Sequence, residues 1–337
     1  LRRLIAEGIL IRDDKPCYYA YRLIMGKHVQ TGLIAAASVA AYDANRIMKH
    51  EFTRPDKEDD RVRQIDALNA QTGPVLLVHP DSDEVERLVA AATSGTPIAD
   101  LTADDGIRHT LWRIDDPAAI AGISAGVETM SALYIADGHH RSAAASRVAA
   151  ARRGKNQPDS AEYFLAVMFP SHQMRILDYN RVVRDLNGLS VEEFLSAIKE
   201  RCTVAPSPTP VTPERTGTFG MYLKGHWYHL TIKPELVPAN DPVRRLDVSV
   251  LSEQILDSIL GIADLRRDTR IDFVGGIRGL PELERRVDSG EMAVAFAMHP
   301  TQLKELMSVA DAGQIMPPKS TWFEPKLADG LASLVLD

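Results

Sequence analysis

The chain has 337 residues, 45% of them hydrophobic and 25% charged, and a formal net charge of −7. This composition supports a folded core large enough for two domains and excludes a disordered chain, while two distant cysteines, Cys17 and Cys202, exclude a disulfide framework or cysteine zinc site and fit a reducing, cytoplasmic setting. No apolar run reaches the roughly 20 residues of a membrane span, and no Lys/Arg stripe with interleaved aromatics marks a nucleic-acid surface, so the expected partner is a small molecule.

The chain opens at Leu1 in what reads as the last turns of a helix capped by Gly8, which makes a native segment ahead of Leu1 an expectation. Cys17–Met25 and Val29–Val39 read as two strands of a hairpin turning at Gly26-Lys27-His28, with the apolar stretch Gly32–Tyr42 as buried strand. A polar segment, Lys49–Arg61, leads into a helix marked by Pro55, first-turn acids and an apolar face of Val62, Ile65 and Leu68, stopped by Gly73-Pro74. Val75–Val78 is a short strand, Glu84–Ala92 an amphipathic helix, and His109–Ile114 and Ala132–Ala136 are strands flanking a helix over Pro117–Ala125. Ser142–Arg153 is helical by its alanines. Strands follow over Tyr163–Phe169 and Met174–Tyr179, then a Pro/Thr-rich linker over Ala205–Thr216. A hairpin pairs Thr218–Leu223 with Trp227–Ile232. Helix Val248–Leu260, strand Ile271–Val274, helix Pro281–Val287, strand Ala293–Met298 and helix Thr301–Val309 complete the pattern. The class is mixed α/β or α+β, divided as residues 1–204 and 205–337.

The segment that carries chemistry is Asp137-Gly138-His139-His140-Arg141, set between a buried strand and a helix beginning at Ser142. Helix N-termini present unpaired N–H groups with partial positive charge, glycine permits close backbone approach, and arginine grips phosphate bidentately. Together these make a phosphate cradle of residues 137–142. Two other readings stand beside it. Asp137 can be an N-cap with the histidines as polar filler, or the Asp/His group can bind a metal. Adjacent histidines on a helix diverge by roughly 100°, which ranks the metal lower.

Ile135-Ala136-Asp137-Gly138-His139-His140-Arg141 resembles the signature of the ParB/sulfiredoxin-like superfamily, in the form carried by free serine kinases. The whole chain also resembles a large bacterial and archaeal family long labelled a domain of unknown function, through Lys49-His50-Glu51, Thr53-Arg54-Pro55-Asp56-Lys57, Asn69-Ala70-Gln71-Thr72-Gly73-Pro74, Ala103-Asp104-Asp105-Gly106, Asp272-Phe273-Val274-Gly275-Gly276 and Met316-Pro317-Pro318-Lys319-Ser320-Thr321. Sulfiredoxins carry a cysteine where this chain has His139, which disfavours sulfinic-acid reduction. ParB proteins add a DNA-reading helix-turn-helix domain, for which this chain has no basic recognition helix.

The resemblance implies a ParB/sulfiredoxin-like nucleotide-binding core with an added C-terminal α/β portion. It implies phosphoryl transfer from ADP or ATP to a small hydroxylated metabolite, free L-serine in the kinases. His50-Glu51 match a His-Glu pair that supplies the catalytic glutamate there, so Glu51 is expected as general base. His140 and Arg141 then hold transferred charge, and Mg2+ bridges the phosphates with Asp137 as its candidate carboxylate. Without the resemblance, nine charged residues among the thirteen from Lys49 to Arg61 read as a solvated helix start. Arg54, Lys57 and Arg61 are further phosphate candidates, with exposed ion pairs as the plainer reading. The alternative function is a ParB-like nucleotide-hydrolysing switch or binding protein, and self-association is compatible with either. Lys319-Ser320-Thr321 lacks the glycines of a phosphate loop, and Trp322 and Phe323 are expected to pack that segment down. His109 and Trp112 read as core or rim residues.

Overall fold

A computed structural model of the chain describes residues 1–154 and 159–337. They form two compact units, Leu1–Arg175 with Pro325–Asp337, and Ile176–Glu324. The division expected after residue 204 falls inside a strand of the second unit, and the last thirteen residues return to the first.

The first unit runs α1 (Arg2–Ala6), β1 (Tyr18–Met25), β2 (His28–Ser38), α2 (Val39–Asp43), β3 (Ile47–Met48), α3 (Pro55–Leu68), β4 (Ala70–Gln71), β5 (Val75–His79) and α4 (Asp83–Ala92). It continues with β6 (Ala99–Thr102), β7 (Arg108–Ile114), α5 (Pro117–Glu128), β8 (Leu133–Asp137), α6 (His139–Arg152) and β9 (Tyr163–Pro170). Its eight-stranded sheet has the order β3-β8-β5-β9-β2-β1-β7-β6. The pairs β3/β8 and β5/β9 are parallel and the rest antiparallel. Central strands β5 and β9 are apolar along nearly their whole length because both faces are covered. Val85 and Val89 of α4, Ile123 of α5 and Ala145 and Ala149 of α6 join Leu77, Ile135 and Phe164 in one core. A Cβ on Gly126 would lie 2.5 Å from Val85 Cγ2, so α4 and α5 pack at a distance that only glycine allows. The alanines of α6 serve the same end against α3: Ala144 and Val148 pack with Ile65.

The apolar stretch to Tyr42 is not one strand. Ser38 caps α2 by accepting from the Ala41 amide, and the chain turns helical there. Helix α3 ends before the expected Gly73-Pro74 stop, with Asn69 in the left-handed region at φ 47°.

The chain passes to the second unit within β10 (Arg175–Leu177). There follow β11 (Tyr179–Val183), α7 (Val191–Arg201), β12 (Cys202–Ser207), β13 (Thr218–Leu223), β14 (His226–Ile232), α8 (Asp247–Leu251), β15 (Ile271–Gly275), α9 (Gly279–Asp288), β16 (Val294–Met298), α10 (Leu303–Asp311) and β17 (Trp322–Glu324). Six strands form an antiparallel sheet, β12-β14-β13-β16-β11-β15. The helix expected over 248–260 is α8 followed by a π-helical turn, Ser252–Asp257. Helix α7, bounded by a Ser190/Glu193 capping box, and edge strands β6 and β12 have no counterpart among the expected elements.

The returning tail is held at both ends. Strand β18 (Leu334–Val335) pairs with β4, and Leu336 and Asn69 exchange hydrogen bonds of 2.9 and 2.7 Å. At its start the Tyr21 hydroxyl accepts from the Ala328 amide at 3.2 Å and donates to His109 Nδ1 at 2.6 Å. Tyr21 and His109 are both buried, and burial keeps the His109 ring neutral. Tyr21→Phe would leave the buried His109 Nδ1 and the part-buried Ala328 amide unpaired at a cost of about 1–3 kcal/mol. The expected result is a lower melting temperature and faster proteolytic loss of residues 325–337; an unchanged rate would show that β18 alone anchors the tail.

Candidate functional site

Strand β8 ends at Asp137 and α6 starts at His139, so the last three residues of the Asp-Gly-His-His-Arg segment are the first turn of a helix rather than a loop. Gly138 is the N-cap at φ 102°, and no side chain caps the helix. The aspartate that the plainer reading made the cap instead closes the strand, half exposed, with Oδ2 3.3 Å from Arg141 Nη2. A Cβ on Gly138 would lie 2.9 Å from Arg141 Nε and 3.0 Å from Nη2, so the guanidinium folds back over the glycine. The uncapped positive end of a fourteen-residue helix, a glycine and the guanidinium lying over it therefore occupy one place, which is anion-binding chemistry.

The two histidines diverge as helical geometry requires. His139 points inward and is 3% exposed; its Nε2 accepts the backbone N–H of His50 at 3.4 Å, and its Nδ1 lies 3.5 Å from Glu51 Oε2. His140 is part-exposed, and its Nε2 accepts the backbone N–H of Arg54 at 3.1 Å. Residues 50–54 are thus laid across the first turn of α6. His50 is also buried, its ring edge-on to His139 at 4.5 Å between centroids. Burial pushes the His50 pKa down to about 4, against the opposing pull of Asp137, and holds that of His139 well below the usual 6.5, with help from His50, His140 and Lys49. With both Nε2 atoms accepting backbone N–H groups, the paired-histidine metal site does not form. Among the described residues, the group close enough to share an ion is Asp81, Glu86 and His172, past the far end of β5. There the imidazole already sits between the carboxylates, 3.1 Å from Asp81 and 3.4 Å from Glu86.

A cleft of about 440 Å³ opens over this turn. Asp137 to Arg141 and Glu51 line one side, Arg61, Gln64 and Ile65 of α3 another, and Gln71, Thr72 and Gly73 the rim. Asp329 of the returning tail completes it, close enough that a Cβ on Gly73 would lie 3.1 Å from its Oδ1. Glu51, Asp137, Gly138, His140 and Arg141 are therefore gathered at one cleft, as expected of a shared site. Ser142 is not: fully buried, its hydroxyl donates to the His139 carbonyl at 3.1 Å. Arg54 makes the exposed ion pair that the plainer reading gave it, 2.9 Å from Asp56, whereas Arg61 reaches the cleft and donates to Gln64 at 2.7 Å.

Lys319 and Ser320 belong to the second unit. Ser320 Oγ donates to the Pro317 carbonyl at 2.6 Å, and Trp322 covers Gly275, which explains that segment by packing. His109 and Trp112 are core residues. Asp329 had no local signal, because it reaches the cleft only through the fold-back of a distant tail.

The depressed His50 pKa has a stability consequence. A histidine held neutral in the fold but free to protonate when unfolded contributes stability above its ordinary value of 6.5, and that contribution is lost as pH falls from 6.5 towards 4. For His50 the loss amounts to about 3 kcal/mol over this window. Melting temperatures of the wild type should fall steeply between these pH values and those of His50→Gln less so; parallel curves would contradict the assignment.

The family described as "Protein of unknown function (DUF1015)" matches residues 1–249. No protein of curated function matches the chain in sequence. Among solved structures, a free serine kinase in complex with AMP is similar at 12% identity and a TM-score of 0.41, over 90% of this chain and 92% of that one. SbnI with a C-terminal truncation, from Staphylococcus aureus, is similar at 12% identity and a TM-score of 0.44, over 88% and 85%. A conserved hypothetical protein from Pyrococcus furiosus is similar at 13% identity and a TM-score of 0.37, over 91% and 97%. Likeness at this level transfers no activity. The sequence match spans well over half of the chain, and the protein belongs to the DUF1015 family.

Proposed function

We propose that this protein is a nucleotide-dependent phosphotransferase acting on a small hydroxylated metabolite. The observation that carries the reading is the Glu51 carboxylate held beside the uncapped N-terminus of α6 in a single cleft. The cleft's volume is in the range of small-ligand sites. The amides of His139 and His140 at the start of α6 and the Arg141 guanidinium bind phosphate oxygens, while the Arg141 amide is already bonded to the Gly138 carbonyl at 2.8 Å, and Gly138 lets the phosphate approach the backbone. His140, whose Nε2 accepts from Arg54, has Nδ1–H as its one remaining donor for the same charge. Glu51 takes the acceptor's hydroxyl proton as its oxygen forms the new bond to phosphorus and the bond to the leaving phosphate breaks.

The donor set fits a magnesium ion held mainly through phosphate oxygens, with Asp137 or Asp329 as the protein carboxylate, because both are hard oxygen ligands at the cleft. Such an ion would neutralise phosphate charge. Arg61 on the α3 wall is placed to meet an acceptor carboxylate. The resemblance of His50-Glu51 and the Asp-Gly-His-His-Arg turn to free serine kinases makes L-serine the first acceptor to test and ADP or ATP the donor.

Protein incubated with Mg2+, ADP or ATP, and L-serine should yield phosphoserine by mass spectrometry. Glu51→Gln should reduce turnover by about 100-fold or more with nucleotide affinity nearly unchanged, whereas Arg141→Ala should weaken nucleotide binding itself. Unchanged turnover in Glu51→Gln would overturn the role of Glu51. Calorimetric nucleotide binding with no product from any small alcohol would leave the phosphate site and remove phosphotransfer.

A further inference from the structure

We infer that His139 is a positioning residue: its imidazole is locked as the neutral Nδ1–H tautomer by the backbone of His50 and aims the Glu51 carboxylate into the cleft. The role given to Glu51 rests on the phosphotransfer reading; the tautomer does not.

A backbone N–H is only a donor, so the imidazole nitrogen facing it must present its lone pair. The His50 amide points at Nε2 of His139 from 3.4 Å, which makes Nε2 the acceptor. A neutral imidazole has one N–H, and it must then be on Nδ1. That nitrogen lies 3.5 Å from Glu51 Oε2. Turning the ring over would put Cδ2 and Cε1 where Nδ1 and Nε2 now stand and lose both contacts, and the ring of His50 packs edge-on against it. At the first residue of α6 the ring is nearly fully buried, which limits the solvent that could supply a competing donor.

The arrangement is closed on itself. The amide of His50 sets the tautomer of His139, and the proton so placed returns to the side chain of the next residue, Glu51. A neutral donor orients a carboxylate while weakening its basicity less than an imidazolium would, which suits a group that must take a proton. His140 is set by the same device, through the Arg54 amide, but its ring turns to the cleft rather than to Glu51. The surrounding segment therefore makes one histidine orient the base and leaves the other to the ligand.

Two measurements test this. Imidazole nitrogen-15 spectra of the histidine-labelled protein, with His139 assigned from its absence in the variants, should show Nδ1 protonated and Nε2 bare, and the Nδ1 resonance should move in Glu51→Gln. An Nε2–H tautomer, or an Nδ1 signal indifferent to Glu51, overturns the proposal whether or not the protein is a kinase. In phosphotransfer, His139→Gln, whose amide reaches the position of Nε2, should lower kcat by about 10- to 100-fold with little change in nucleotide KM. His139→Asn, whose amide reaches the position of Nδ1, should recover most of that loss. Equal loss in both variants would reduce His139 to packing. Absence of transfer in the wild type would count against the phosphotransferase reading alone, with the nitrogen spectra still deciding the tautomer and its link to Glu51.

Discussion

The structure of the site depends on one contact pattern, the backbone of residues 50–54 lying across the first turn of α6 and donating to two imidazole rings. The buried His50 N–H and His139 ring would otherwise be left an unpaired donor and acceptor, whereas the exposed Arg54–His140 bond replaces bonds to water. The contact brings an acidic side chain from a charged, half-exposed segment to a helix N-terminus that no side chain caps. Burial of His139 and His50 follows from it. Two imidazoles packed edge-to-face in a dry place must stay neutral, and His50 Nδ1 is left without a hydrogen-bond partner. Retaining such a group at a functional cleft is a local cost that the surrounding core offsets.

That core is what makes the placement rigid. Strand β8 is bonded to β3 through Leu133 and Tyr134 and to β5 as far as its last residue, Asp137, which pairs with Leu76. Helix α6 is packed by alanines, whose small size lets α3 come close, and α3 carries Arg61 and Gln64 to the facing wall. The tail then supplies the last wall. It is tied down by Tyr21 at one end and by β18 at the other, and Asp329 sits between.

Much of this was legible in the residues. Alternating and continuous apolar runs located most of the longer strands but not β6 and β12 or the two- and three-residue strands β3, β4, β17 and β18, and the strand–glycine–helix pattern around Gly138 located that turn, because each rests on local geometry. What was not legible is non-local. Nothing near Ser142 says that its hydroxyl turns back to the His139 carbonyl, and nothing near Asp329 says that the tail leaves the second unit. Helix α7 is a different case: Ser190 and Glu193 carry a capping-box signal that is local and legible in the sequence. The inward turn of His139 and outward turn of His140 follow from a helix that starts three residues earlier than its alanines suggest.

The first turn of α6 is the proposed place of phosphate binding. Amide-resolved NMR of the full chain titrated with ADP measures this directly. The largest shifts should fall on the backbone N–H groups of His139 and His140 and vanish in Arg141→Ala at the same nucleotide concentration. Saturating shifts confined to other residues, with these two amides unmoved, would contradict it.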